Sequence, residues 1–404
     1  MTRGDALVLD GDENQSVACV RDLSRAGYRV AVGDSVPLPK AWWSRHPARR
    51  IRYRSPRTDP DGFIRDLIDA IGPIVGTEAV LLPTTESTTL AVSVHRETLA
   101  GAGYRMVLPA HEELLVAFDK HRSGQLAASC GLRTPRQLFV HDEASLAQVR
   151  QLEHPVVIKA VSSNLATSSG LVQSPRPGYS LTPDETAQQV RALMDSRGSA
   201  IVQEFITGAG VGFFALYRHG TLERCFAHRR LRDVHPTGSG SSYRESIPVP
   251  PALQEAGTRL LDALRWHGAA MVEFKQRADG QFVFLEVNGR LWGSLALAVA
   301  AGATFPRWLA ALARDEPLAP HPPIRAGVRA RWIVGDVRHL VAVARGRPAG
   351  FPGPYPRLAT TVRDMCRGLG SDHFDNLELG DPLPELGDWL SAARKAMVGK
   401  GAPT

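Results

Sequence analysis

The chain has 404 residues, 43% of them hydrophobic and 22% charged, with 48 Lys and Arg against 41 Asp and Glu. That length exceeds one ordinary domain, and that balance excludes a disordered or fibrous chain. The N-terminal apolar stretch is too short for a signal peptide, no apolar run nears the ~20 residues of a transmembrane helix, and four scattered cysteines (Cys19, Cys130, Cys225, Cys366) form no CxxC pair, which together fit a reduced cytoplasmic protein without membrane contact.

Residues 1–110 alternate short apolar runs with helical patterns. Strands are expected at 6–10, 28–34, 79–84 and 104–109, and helices near 15–26 and 61–72. Such a series predicts a small parallel sheet. The first strand runs into Asp10-Gly11-Asp12-Glu13-Asn14 with no GxGxxG, and acids there repel a pyrophosphate, which argues against a dinucleotide-dependent oxidoreductase. The densest basic run is Arg45–Arg57. Its Arg50, Arg52 and Arg54 alternate with Ile51 and Tyr53, as on an edge strand with a solvated face. Nucleic-acid binding through phosphates is therefore the weaker reading of the +7 net charge.

A second part, 111–317, opens with a helix over 120–129, with Asp119 as its N-cap and Gly131 as its stop. Strands follow at 155–160, 200–206, 211–217, 269–275 and 281–288, with a helix over 252–266. The proline-rich stretch 318–327 introduces a third part, 318–404, with a strand and helix near 328–345 and a helix over 383–398.

Most of the chemistry lies between Met271 and Arg290. Asp279-Gly280 is a favoured two-residue hairpin turn, and counting outward from an Ala278–Gln281 pair sets Glu273 opposite Glu286. Period-2 alternation adds Asn288 to the face of Glu286. Opposed carboxylates repel and unpaired charge on apolar strands is costly, so a hard divalent cation with oxygen ligands would resolve the arrangement. An exposed hairpin with solvated acids is the plain alternative.

Only six lysines occur, so their positions are informative. Lys120 opposes the dipole of its own helix, a cost that a bound anion would reverse; a solvated lysine is the alternative. Lys159 ends the apolar run PVVIKA, where open α/β sheets meet ligands, and the small-residue loop 162–170 could wrap phosphates or simply lie on the surface. Gln203-Glu204 interrupts the strand IVQEFITG and could meet the polar edge of a purine. The run His228–Arg232 and Arg244 bracket the loop 237–242, which suits carboxylate or phosphate recognition or a solvated basic turn.

In this order the segments DKHRSGQLAASCGLRTP (119–135), PVVIKA with its loop (155–170), QEFITG (203–208) and VEF…FLEVNGR (272–290) resemble the ATP-grasp superfamily, over about residues 1–310. The run Glu286-x-Asn288-x-Arg290 is the most specific part. The resemblance implies a fold of mixed α/β and α+β class: an N-terminal parallel-sheet domain (1–110), a two-lobed ATP-grasp fold (lobes about 111–205 and 206–317), and a small C-terminal region (318–404) without an assigned role. It implies ATP and two Mg²⁺ ions, with Mn²⁺ as a substitute. Lys120 and Lys159 would contact phosphates, and Ser168, Ser169 and Gly170 would close over them. Gln203, Glu204, Phe205 and Ile206 would hold adenine. Glu273, Glu286 and Asn288 would ligate metal, and Arg290, with Lys159, would serve the transferring phosphoryl group. The stretch LWGSLALAVAAGATFP (291–306) is similar to the subgroup forming peptide-like and natural-product amides, with Arg230, Arg244 and Ser294 as expected substrate contacts.

The implied function is ATP-dependent ligation of a small-molecule carboxylate to an amine through an acyl phosphate, and a homodimer is compatible with it. A bicarbonate-using carboxylase and a ligase to a carrier-protein thiol are alternatives within the same chemistry. A non-catalytic ATP- or nucleic-acid-binding module is the alternative of another class.

Overall fold

The computed structural model describes residues 3–162, 164–167, 170–320, 322–367, 370 and 372–398. Four strands, β1 (Asp5–Val8), β2 (Arg29–Asp34), β3 (Arg49–Arg52) and β4 (Val80–Leu82), form a parallel sheet in the order β3-β2-β1-β4. β3 is the basic edge strand expected from the arginine alternation: Ile51 and Tyr53 are buried while Arg50, Arg52 and Arg54 point outward. These arginines are engaged locally, Arg50 by the Trp42 and Ser44 carbonyls and Arg54 by Asp66 and Asp59. The strand expected at 104–109 shrinks to a single bridge between Arg105 and Val80. Beyond it Val107 packs against the apolar core beneath the largest sheet, and Pro109 has no N–H to extend a ladder.

A smaller antiparallel sheet forms the lobe that follows. β5 (Gln137–Val140), β6 (Val156–Lys159), β9 (Gly178–Ser180) and β10 (Ala200–Glu204) lie in the order β5-β10-β6-β9, while β7 (Asn164–Thr167) and β8 (Gly170–Gln173) pair separately. The helix Pro183–Arg197 covers this sheet.

Seven strands make the third sheet: β11 (Ala209–Arg218), β12 (Thr221–Asp233), β13 (Ser241–Ile247), β14 (Gly268–Gln276), β15 (Phe282–Asn288), β16 (Arg329–Arg331) and β17 (His373–Phe374), in the order β15-β14-β11-β12-β13-β16-β17. The supposed basic turn around His228–Arg232 is in fact the end of the long strand β12, and 237–240 is the tip of the β12–β13 hairpin. β16 and β17 carry the sheet across the boundary expected at 318, so the C-terminal region extends this lobe. Its last helix, Leu383–Val398, packs against the N-terminal domain at residues 40–43. One face of the large sheet is sealed by helices including Pro251–Ala263, around Trp266 and Phe274. The other face shares a core with the N-terminal sheet through Trp292 and the helices Leu295–Ala301 and Phe305–Ala313. Among the described residues no single helix is long and apolar enough to cross a membrane.

The β14–β15 hairpin departs from the expected turn. Arg277 N–H bonds the Gln281 carbonyl (2.9 Å), Gly280 N–H bonds the Arg277 carbonyl (3.0 Å), and Gly280 has φ +82°. This is a three-residue loop ending in a left-handed glycine, in place of two central residues, and it shifts the register by one. Phe274 accordingly pairs with Phe284, but the next pair is Glu273 with Glu286. Leu285 is an extra residue on β15, a bulge that frees the Phe284 N–H to bond the Arg133 carbonyl (2.8 Å) and cancels the shift.

Candidate functional site

The hairpin supplies an acidic centre. Glu273 and Glu286 face each other across β14 and β15, and the Asn288 amide reaches Glu273 Oε1 (3.2 Å) and Glu286 Oε1 (3.4 Å). Arg230, from β12, reaches across Gly210 of the intervening β11 and donates to Glu273. The short, packed connection to Arg290 depends on Gly289, where a Cβ would stand 2.8 Å from the Trp266 ring and 2.9 Å from Leu114. Arg290 itself bonds the Leu291 carbonyl (2.8 Å) and Asn288 Oδ1 (3.4 Å).

Two lysines approach from the other side. Asp119 caps the helix Lys120–Ser129 by accepting from the His121 and Arg122 N–H groups, as expected. Lys120 N–H bonds the Val161 carbonyl just after β6, and its ammonium lies 3.5 Å from Glu286. Lys159 ends β6 and donates to Gln203 Oε1 (2.7 Å). Burial pushes the Lys159 ammonium down to about 8, against the pull of Glu286. Burial would raise Glu286, but Lys120, Lys159 and the Asn288 amide hold it down at about 2, whereas burial leaves Glu273 above its usual value despite Arg230. One carboxylate is thus held ionised and the other is under strain from desolvation.

This donor set fits a hard cation. Among the described residues no three His, Cys, Asp or Glu side chains cluster, so a cation here would take Asn288 Oδ1 beside the two carboxylates. Half a turn of the Asn288 amide brings that oxygen to where Nδ2 now meets both glutamates. Few protein ligands, with the rest from phosphate and water, is the pattern of Mg²⁺ at nucleotides.

The remaining expected residues divide. Gln203 joins Lys159, but alternation along β10 turns the Glu204 carboxylate to the opposite face, where Arg136 meets it through its backbone N–H (3.2 Å) and guanidinium (3.6 Å). The Phe205 N–H is taken by the Pro155 carbonyl (3.3 Å), and its ring packs edge-on against Tyr179 and Phe351. This geometry gives Glu204 and Phe205 structural partners, while Gln203 faces Lys159 and Ile206 follows the end of β10. Ser168 and Ser169 lie outside the described residues; Gly170 begins β8, which pairs with β7 as a hairpin. Arg230 and Ser294 line the main pocket, and the Ser294 hydroxyl meets His228 Nε2 (2.9 Å). Arg244 is a correction. It is fully buried, bonded to Asp375 and to the Ser241 and Ser242 carbonyls, and cannot meet a substrate.

The pocket, about 220 Å³, has walls that the sequence reading missed. Glu273, Asn288 and Arg290 line it together with the loop after β1 (Asp12, Glu13), Lys40, and Asp388, Ser391 and Lys395 of the last helix. Asp12 accepts from Ser391 (2.6 Å), Arg394 (3.0 Å) and Lys395 (3.0 Å), which fastens that helix over the loop. The loop is braced from below by Asp10, held at φ +57° by Thr84, Thr85 and Thr88. A signal was present: five of the six lysines (Lys40, Lys120, Lys159, Lys275, Lys395) fall around this cleft, Lys275 acting on Glu273 from two positions along β14.

An N-terminal parallel domain, a small antiparallel lobe and a large antiparallel lobe that face each other across lysines and paired carboxylates define a nucleotide-clasping class of fold. The chain has the ATP-grasp fold. Residues 199–335 match the model of a family described as "ATP-grasp in the biosynthetic pathway with Ter operon". Among solved structures it resembles an N5-carboxyaminoimidazole ribonucleotide synthetase solved with ADP (TM-score 0.61, 14% identity, 81% of this chain and 81% of that one). It also resembles an L-amino acid ligase from Bacillus licheniformis (TM-score 0.58, 14% identity, 81% and 79%). A third neighbour is a biotin carboxylase from Campylobacter jejuni (TM-score 0.62, 13% identity, 80% and 74%). No curated protein sequence matches the chain.

Proposed function

We propose that the chain is an ATP-dependent ligase that activates a carboxylate as an acyl phosphate and transfers the acyl group to an amine, releasing ADP and phosphate. The observation that carries this reading is the meeting of Lys120 and Lys159 with Glu286 on the hairpin whose Glu273, Asn288 and Arg290 line the pocket. A carboxylate is a poor electrophile, and attack on the γ-phosphoryl group gives it a leaving group. That attack joins two anions, so it needs fixed positive charge where charge develops. Lys120 and Lys159 would meet phosphate oxygens. Arg290 would brace the phosphoryl group or the attacking carboxylate with its planar fork. Mg²⁺ held by Glu273, Glu286 and Asn288, when bound, would neutralise phosphate charge. The last helix, fastened to Asp12, would exclude water that would otherwise hydrolyse the intermediate.

Support comes from the matched family and from the structural neighbours, which include an L-amino acid ligase, a biotin carboxylase and an N5-carboxyaminoimidazole ribonucleotide synthetase. The test is an ADP-release assay with Mg²⁺ over a panel of carboxylates, with and without amines, followed by mass analysis of the product. ADP release that needs both, with loss of water in the product mass, supports the ligase. ADP release driven by bicarbonate points to carboxylation, and ATP binding with no release under any condition contradicts an enzymatic role.

A further inference from the structure

The charges that line the pocket are mostly matched within the protein. Asp12 is held by Ser391, Arg394 and Lys395, Asp388 by Lys40, and Glu273 by Arg230. Glu13 is different. It occupies the N-cap of the helix Asn14–Arg25, a position whose side chain commonly bonds the first free N–H groups, yet it makes no capping bond. Its side chain lines the pocket instead, with no ion pair among the described residues. Burial raises the Glu13 carboxyl, with Lys395 and Lys40 pulling the other way, so it gains from any further cation. On the positive side Arg290 and Arg338 also lack carboxylate partners among the described residues. Arg290 rests on backbone and amide oxygens, and Arg338 over the Trp332 ring at 5.3 Å.

We infer that the pocket takes an amino-acid-like zwitterion, with its ammonium on Glu13 and its carboxylate on the Arg290 side, next to Glu273 and Asn288. The inference rests on the ligase reading for the fate of that carboxylate, but its recognition step stands by itself. Glu13 has no ion pair and Arg290 no carboxylate partner among the described residues, both line this one pocket, and one ligand carrying both complementary charges would satisfy the two together. Glu13 would then set the substrate class: the same acid without its amine would leave it unpaired. The rigid brace of Asp10 fixes the loop, so selection would be by position as well as by charge.

The test is calorimetric titration of the full chain, saturated with Mg²⁺ and a non-hydrolysable ATP analogue. The probes are the proteinogenic L-amino acids, each paired with the same carboxylic acid lacking the amine. A charge-assisted contact to Glu13 makes at least one amino acid bind about tenfold or more tighter than its des-amino partner. Glu13→Gln, close in size, should bring that ratio to about one, and Glu13→Asp should keep part of it; thermal unfolding confirms that both variants are folded. A ratio unchanged in Glu13→Gln overturns the inference, as do equal affinities in the unaltered protein or no binding by any amine-bearing probe. Discrimination without ADP release would sink the ligase reading and leave this one standing. ADP release with plain carboxylates at a ratio of one would do the reverse.

Discussion

Lys120 Nζ stands 3.5 Å from Glu286 Oε2, joining the first residue of a helix to β15 of the hairpin. Exposed ion pairs contribute little, but this one lies in a cleft where Lys159 acts on the same carboxylate. Both partners of the pair are those that a magnesium nucleotide would want. Phosphate would draw the ammonium and the cation would take the carboxylate, so each group would exchange one charged partner for another. The ion pair thus holds both groups in place before ligand arrives.

Glu286→Gln should therefore abolish turnover without harm to the fold. Removing one ligand charge should cost about 10²-fold or more in kcat, while the far-ultraviolet spectrum and unfolding temperature stay close to those of the unaltered chain. Near-normal turnover in a folded Glu286→Gln protein would remove the metal assignment.

Lys159 gives a pH signature. Its pKa is lowered to about 8, so its ammonium is lost as pH rises through that value. In the free protein the burial of this charge costs stability below about 8, a cost relieved as pH climbs toward the ordinary 10.5. Affinity for a non-hydrolysable ATP analogue should fall roughly tenfold between pH 7 and 9.5, as a charge-assisted contact is lost. Arginine stays charged throughout, so Lys159→Arg should flatten this slope. A titration whose slope is the same in both proteins would place Lys159 outside the phosphate site.

Arg290→Lys should lower kcat by about 10²-fold while analogue affinity changes little, because a single ammonium cannot reproduce a planar fork that acts in the transition state. Loss of nucleotide affinity with kcat kept at saturating ATP would contradict that role.

The Arg244–Asp375 pair is a matter of stability. Both side chains are buried, so Asp375→Ala would strand a guanidinium and should cost about 3–5 kcal/mol. Thermal or urea unfolding of the ligand-free chain measures this. An unchanged midpoint would mean that Arg244 finds other partners, and would reopen it as a ligand contact.

Local rules made parts of this molecule legible in sequence. The helix Lys120–Ser129 has its cap, stop and lysine where Asp119 and Gly131 set them, and the βα alternation of the N-terminal part is a parallel sheet. The Glu273–Glu286 pair was reached through the wrong turn: a three-residue loop moved the register one way and the Leu285 bulge moved it back. No residue pattern announces such a bulge, and the bond that accompanies it, from Phe284 N–H to the Arg133 carbonyl, joins residues far apart in the chain. The helix Pro183–Arg197 was legible but missed, with Thr182 as cap, Pro183 at its first turn and Gly198 in the left-handed conformation. β12 and β13 were hidden because their buried arginines look like solvent-facing ones until partners such as Asp375 and Glu273 are known. For the same reason the second wall of the pocket, built from residues about 380 positions apart, such as Asp12 and Ser391, could not be read along the chain.

The central claim is that a carboxylate oxygen attacks the γ-phosphoryl group of ATP. It is tested most directly by labelling with ¹⁸O both carboxylate oxygens of an acid that stimulates ADP release, then weighing the released phosphate. Acyl phosphate formation moves one of those oxygens to phosphorus, so the phosphate should carry one ¹⁸O for each ADP formed. ADP accompanied by unlabelled phosphate would show that water, and not the carboxylate, is the nucleophile, and would contradict the account.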